Sequence, residues 1–173
     1  MKQKLGFFEQ LFHLPLFLLF FGLASVLMLI PASYAGVLRE LETGRAFLYS
    51  GLLGIIIFVL ISMAHHGRMP GHGALGPLMS LFSFFVFLPL ILAVPFYESL
   101  QTTSFFNSYI EMVSSITTTG ATLFDDPERL NRPLHLWRAL VGWMGGLIMW
   151  VAASAILAPL NLGGFEITAR AEP

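Results

Sequence analysis

Phe105 to Ile116 is an apolar stretch of 12 residues that runs straight into Thr117-Thr118-Thr119-Gly120-Ala121-Thr122. As a helix it is roughly 18 Å long, too short for a hydrocarbon core of roughly 30 Å. Longer apolar blocks lie on both sides of it, at 75–96 and 134–160. A polar, glycine-containing backbone is thus set at membrane depth, where it is tolerated only if protein buries it or a watery cavity receives it. The pattern predicts a short helix that goes halfway into a bilayer and turns back at the Thr/Gly segment.

Composition supports the bilayer. Of 173 residues, 56% are hydrophobic and 11% charged, against about 25% charged in ordinary soluble domains. The expected fold is all-α: polytopic transmembrane helices with a re-entrant pore helix and a filter loop. The first span is read over 11–30, stopping at Pro31, which cannot continue a helix ladder, and a charged loop with Arg39, Glu40, Glu42 and Arg45 follows. The second span, 46–64, ends at His65-His66-Gly67-Arg68, and Met69-Pro70-Gly71-His72-Gly73 reads as a turn. The third, 75–96, carries Pro89 and Pro95 and should kink or end early. The last, 134–160, opens with Trp137 and Arg138 as an interfacial anchor would, and Gly163-Gly164 is a helix stop. Two units follow: an N-terminal transmembrane hairpin over 1–68, and a helix–pore loop–helix repeat over 69–173.

Other classes find little support. A net charge of -1 without a basic stripe gives no reason to expect nucleic acid. Zero cysteines exclude disulfides and thiolate metal sites. Lys2 and Lys4 before an apolar run, with Ser33-Tyr34-Ala35 beyond it, imitate a secretory signal, but the run has the length of a full span and reads as a retained helix. Charge does not orient the chain. With cytoplasmic termini, Lys2, Lys4, Arg68 and Arg170 lie inside against Arg39, Arg45, Arg129, Arg132 and Arg138 outside, four against five.

The loop has the chemistry of a cation site. A short helix ending at Ile116 aims the negative end of its dipole beyond itself. Gly120 can take backbone angles closed to other residues, and the β-branched Thr117, Thr118 and Thr119 favour extended backbone over helix. Main-chain oxygens turned inward can replace an ion's hydration shell. A plain Thr-rich helix cap is the competing reading of the hexapeptide.

The segment Tyr109-Ile110-Glu111-Met112-Val113-Ser114-Ser115-Ile116-Thr117-Thr118-Thr119-Gly120-Ala121-Thr122 resembles the first pore loop of Trk-type potassium uptake subunits, the TrkH/KtrB superfamily. Leu134-His135-Leu136-Trp137-Arg138 and Gly142-Trp143-Met144-Gly145-Gly146 resemble the helix that follows it there. The resemblance implies K⁺ transport through a carbonyl-lined filter in a cell (inner) membrane, with the N-terminus cytoplasmic, and no enzyme. Thr118 and Thr119 would hold K⁺ through their backbone oxygens, flanked by Thr117 and Gly120. Glu111, Ala121 and Thr122 would support the loop, Glu111 by bracing it; the alternative is that Glu111 faces an aqueous vestibule. Asn107 stands where the family often has an acid. K⁺ is the transported ion, and no covalent cofactor is implied.

Such a filter needs several loops around one axis, and the family carries four repeats per subunit. The resemblance therefore implies missing repeats of the same subunit, or further copies of this chain. It also implies homodimers of complete subunits and a cytoplasmic nucleotide-binding regulatory subunit. Rival readings are a non-conducting membrane scaffold and a self-assembling homotetrameric cation channel. An intramembrane enzyme would need a nucleophile and base, and Ser114 and Ser115 have no visible partner. Asp125, Asp126 and Glu128 are either a cation-attracting mouth or a solvated loop. His65, His66 and His72 lack a carboxylate or thiol to complete a metal set, and Gly142, Gly145 and Gly146 suit close helix packing.

Overall fold

The computed structural model describes residues 16–64 and 75–157. All regular structure among these residues is helical: α1 (Leu16–Leu27), α2 (Leu29–Leu38), α3 (Leu41–Ala64), α4 (Leu75–Leu100), α5 (Phe105–Ile116) and α6 (Arg132–Leu157), with a 3₁₀ turn at Pro127–Arg129. Among the described residues, four helical stretches are long and apolar enough to cross a membrane: Leu16–Leu38, Leu41–Ala64, Leu81–Leu100 and Arg132–Ser154. His65, His66, His72, the 69–73 turn, Gly163 and Gly164 lie outside the described residues.

Pro31 does not end the first span. The missing proline N–H interrupts the ladder only locally, and the backbone stays helical at Met28. Met28 N–H donates to the Ala24 oxygen at 3.0 Å and Ala32 N–H to the Met28 oxygen at 3.2 Å, so helix resumes at Leu29. Pro31 sits in the first turn of α2, where an N–H would have no helical acceptor of its own. The span stops at Arg39 instead, in a left-handed conformation with φ 61°. Glu42 and Arg45 belong to the opening turns of α3 and not to a loop.

Pro89 and Pro95 likewise lie inside α4, which continues to Leu100. Each proline deprives the carbonyl four residues earlier, at Phe85 and Ile91, of its helical donor. Beside these gaps, neighbouring helices supply side-chain donors. Tyr109 of α5 donates its hydroxyl to the Val86 oxygen at 3.3 Å, and Trp137 of α6 donates its indole N–H to the Leu92 oxygen at 3.2 Å. These bonds reach the carbonyls next to the two that lose donors, and tie α5 and α6 to the proline-containing part of α4.

Packing follows small and large residues in register. On α3 the buried positions Thr43, Phe47, Gly51 and Gly54 form one stripe at helical spacing. Gly54 abuts the Ser25 hydroxyl of α1 and Gly51 lies against the Ser25 backbone, so the two backbones approach closely, as small residues allow in membrane helices. Much of the rest of α3 is apolar and exposed, Leu53, Ile56 and Leu60 among it, which suits a lipid-facing surface. Phe84, Leu88, Leu92 and Phe96 of α4 meet Leu134, Trp137, Val141, Met144 and Ile148 of α6 in one core.

Trp137 is therefore no interfacial anchor. It is 0% exposed, with its ring edge-on to Phe47 at 5.5 Å between centroids. A tryptophan can be buried this way because its N–H has found an acceptor. Trp137→Phe should cost about 1 kcal/mol by losing that hydrogen bond, and Trp137→Ala about 3–5 kcal/mol by leaving a cavity. Melting of the detergent-solubilised variants measures both, and a Trp137→Ala protein that melts with the parent would contradict this core.

Candidate functional site

The site is built from the short helix α5 upward. Ser104 caps its start, accepting from the Asn107 N–H at 3.2 Å, while the Asn107 side-chain amide donates to the Thr103 hydroxyl at 3.2 Å. Asn107 thus serves the turn that opens α5. One face of the helix, with Ser108, Glu111, Met112, Ser114 and Ile116, is buried.

At the other end, Thr117 has φ -81° and ψ 1°, and Thr118 has φ 56°, in the left-handed region. The Thr118 N–H donates back to the Ser115 oxygen and the Thr119 N–H to the Ser114 oxygen, both at 3.0 Å. This is a Schellman motif, which satisfies carbonyls that a helix end leaves without donors. The expected extended backbone at Thr117 and Thr118 is not what forms. The need to satisfy the last helical carbonyls outweighs β-branching, although a left-handed β-branched residue costs on the order of 1–3 kcal/mol. Gly120 also has positive φ, 74°.

Side chains then fix the turn. The Thr117 hydroxyl donates to the Val113 oxygen at 2.7 Å and lies 2.8 Å from the Thr119 hydroxyl. The Ser114 hydroxyl donates to the Ala121 oxygen at 2.5 Å, and the Thr122 hydroxyl accepts from the Phe124 N–H at 3.1 Å. With Ser115 donating to the Glu111 oxygen, both serines spend their hydroxyls on backbone. Among the described residues, the backbone oxygens of Thr117, Thr118, Thr119 and Gly120 accept no hydrogen bond. All four residues are exposed.

Glu111 is 1% exposed, so it does not face a vestibule. One carboxylate oxygen accepts from the Leu123 N–H at 3.1 Å, and the other lies 2.8 Å from the Arg138 guanidinium of α6. The carboxylate ties the far end of the loop to both flanking helices. Arg138, expected at a membrane interface, is the counter-ion of this buried acid. That pairing had no sequence signal, because the partners are on different elements.

Asp125, Asp126, Glu128 and Arg129 are exposed, and Asp126 caps the 3₁₀ turn by accepting from the Glu128 N–H at 2.9 Å. Asn131 caps α6, accepting from the Leu134 N–H at 3.2 Å. Asn-Arg-Pro before an apolar run is a readable helix start, and the sequence reading passed it over. A cleft of about 410 Å³ separates Thr118 and Gly120 from Arg138 and Gly142.

Comparison with known proteins extends the picture. The chain is 40% identical over 85 residues to the Trk system potassium uptake protein TrkI of Halomonas elongata, covering 49% of this chain and 16% of the relative. It is 36% identical over 85 residues to TrkG of Escherichia coli, 49% of this chain and 18% of that protein. TrkH of Escherichia coli is 28% identical over 152 residues, 84% of this chain and 30% of the relative. The chain is homologous to the Trk system potassium uptake proteins. These homologues are transporter subunits, not enzymes. The chain spans 16% to 30% of the length of these relatives. No family model and no solved structure matches.

The three glycines of α6 differ sharply. A Cβ on Gly145 would run into the Ile116 carbonyl oxygen and come within 2.7 Å of its carbon, whereas Gly146 has nothing within 4 Å and Gly142 only an ordinary contact at 3.5 Å. Gly145 is thus where α6 receives the end of α5. Gly145→Ala should destabilise the protein by about 1–3 kcal/mol, since neither backbone can yield easily, while Gly146→Ala should be within about 0.5 kcal/mol of the parent. Equal melting temperatures for the two variants would remove this contact from the account.

Proposed function

We propose that this chain contributes a filter-bearing unit to Trk-type K⁺ transport, with α5 as a re-entrant pore helix and the loop after it as one strand of the selectivity filter. The observation that carries the proposal is the set of unpaired backbone oxygens at Thr117, Thr118, Thr119 and Gly120, on the segment that follows the short helix. Oxygens in that state, at the negative end of a helix dipole, suit a dehydrated cation. Homology to proteins named for potassium uptake supports the choice of ion. Thr118 and Thr119 are the proposed K⁺ ligands, with Thr117 and Gly120 beside them and Glu111, Ala121 and Thr122 holding the loop.

On this reading residues 1–68 form an N-terminal hairpin and 69–173 the first repeat, in a cell membrane with the N-terminus cytoplasmic and the loop on the outer face. One strand cannot surround an ion, so further repeats of a longer subunit, or further copies, complete the ring. Complete subunits would pair as homodimers and meet a cytoplasmic nucleotide-binding regulator.

Gly120→Ser tests the filter directly. A β-carbon at φ 74° strains the turn and displaces the flanking oxygens. In a conducting assembly containing this chain, preference for K⁺ over Na⁺ should fall by about tenfold, equivalent to roughly 1.4 kcal/mol, or uptake should cease. Unchanged ion preference with normal uptake would sink the filter and leave a non-conducting scaffold as the better reading.

Topology gives an independent test, helped by a chain without cysteines. Cysteines placed singly at Ser104 and Leu123 should react with a membrane-impermeant thiol reagent from the same, outer side. Reaction from opposite sides would make α5 part of a full crossing and end the re-entrant assignment.

A further inference from the structure

The N-terminal helices have no part in the filter chemistry just proposed, yet they reach it through an unbroken series of polar and aromatic contacts. Thr43, in the opening turns of α3, is 3% exposed. Its hydroxyl accepts from the side-chain amide of Asn131 at 2.6 Å, across 88 residues of sequence. The same Asn131 side chain uses its oxygen to cap α6. One turn further along α3, Phe47 meets the edge of Trp137, and the next residue on α6 is Arg138, 2.8 Å from Glu111. Glu111 in turn holds the Leu123 N–H at the end of the loop.

We infer that Thr43 and Asn131 form a clasp that sets the position of α6, and through Arg138 and Glu111 the position of the loop. Both are positioning residues for ion passage, an inference that rests on the filter reading for its consequence but not for its geometry. Asn131 and Arg138 are seven residues apart, close to two helical turns, and so lie along one side of α6. Fixing the first turn therefore fixes the direction in which the guanidinium is delivered. Apolar contact alone would hold α3 against α6, but it tolerates sliding and rotation. A hydrogen bond weakens steeply with distance and angle, so a short one from the half-buried Asn131 to the buried Thr43 hydroxyl specifies register. Asn131 makes the coupling tight because its two ends are committed at once, one to each helix.

The test uses the full chain in membranes, with a cysteine reporter at Leu123. Leu123→Cys keeps the backbone N–H that Glu111 holds. Adding Thr43→Val preserves the shape of the side chain and removes the acceptor. Labelling of the reporter by an impermeant thiol reagent should then rise roughly two- to tenfold, the lower part of the coupling range for residues in one hydrogen-bond network, and Thr43→Ser should return it to the parent rate. Asn131→Ser, which keeps an N-cap but is too short to reach Thr43, should reproduce the rise if Thr43→Val fails to fold. In a conducting assembly the same variants should raise the half-saturating K⁺ concentration by a similar factor with little change in maximal rate, again rescued by Thr43→Ser. Parent labelling rates in both Thr43→Val and Asn131→Ser would overturn the clasp. Faster labelling alongside a Gly120→Ser protein of normal ion preference would uphold the clasp and overturn the filter instead. A selectivity loss in Gly120→Ser with unmoved labelling in the clasp variants would do the reverse.

Discussion

A carboxylate in a buried position is unstable unless its charge is matched and its lone pairs are occupied. Glu111, at 1% exposure, has its charge matched by Arg138 at 2.8 Å and one oxygen occupied by the Leu123 N–H, while the oxygen facing Arg138 makes no hydrogen bond of good geometry among the described residues. Much of the site follows from that requirement. Arg138 must come from a helix packed close to α5, which Gly145 permits by admitting the Ile116 backbone. The Leu123 N–H must turn back toward α5, so the residues between Thr117 and Thr122 have to close a narrow bend. Removal of either charged partner leaves the other buried and unmatched, which in comparable settings costs about 3–5 kcal/mol. Replacing one member is thus a harsher change than its modest hydrogen-bond count suggests.

The bend itself carries strain, and its location is informative. A Schellman motif ordinarily has glycine in its left-handed position; here that position is Thr118, with glycine two residues later at φ 74°. Glycine at 118 would close the helix at lower cost. Threonine there brings a hydroxyl and a restricted backbone to a segment whose oxygens, among the described residues, accept no hydrogen bond, and strained residues of this kind gather where function over-determines geometry. The helix-cap and ion-site readings of the hexapeptide are then compatible. The cap consumes N–H groups, pointing them back at Ser114 and Ser115, and what remains on the outside is oxygen.

The sequence made the helical class, the four apolar blocks and the 12-residue length of α5 legible, because each is local: periodicity, length and hydropathy decide them. α5 has the bounds read from the sequence, Phe105 to Ile116. The stop expected at Pro31 and the early end offered for Pro89 and Pro95 did not occur, for the opposite reason. Pro31 is tolerated by its place in the first turn of α2, and Pro89 and Pro95 lie in a helix that packs on Tyr109 and Trp137, contacts that no single stretch of sequence displays. Trp137 and Arg138 looked like a membrane anchor because that is their common use at a helix start; only the approach of α3, α4 and α5 turns them inward. Thr118 shows a subtler limit. Its β-branched type argued for extended chain, and the demand of the helix end outweighed it.

The N-terminal helices bring these strands of argument together. α3 shows most of its surface, as a lipid-facing helix does, and buries a single stripe. Within that stripe Gly51 and Gly54 meet α1, while Thr43 and Phe47 reach Asn131 and Trp137 at the start of α6. A helix needed merely as a membrane anchor could meet α6 through leucines. Placing a buried hydroxyl opposite a capping asparagine carries a desolvation cost that is recovered only if the two groups meet at hydrogen-bond distance, so the arrangement rewards one register of α3 on α6 and penalises its neighbours. Register at that end is what Arg138 transmits to Glu111, and Glu111 to the loop. On the proposed filter reading the stiffness of these supports is part of the loop's chemistry, since a binding site works only when held within about 0.5 Å of its productive geometry.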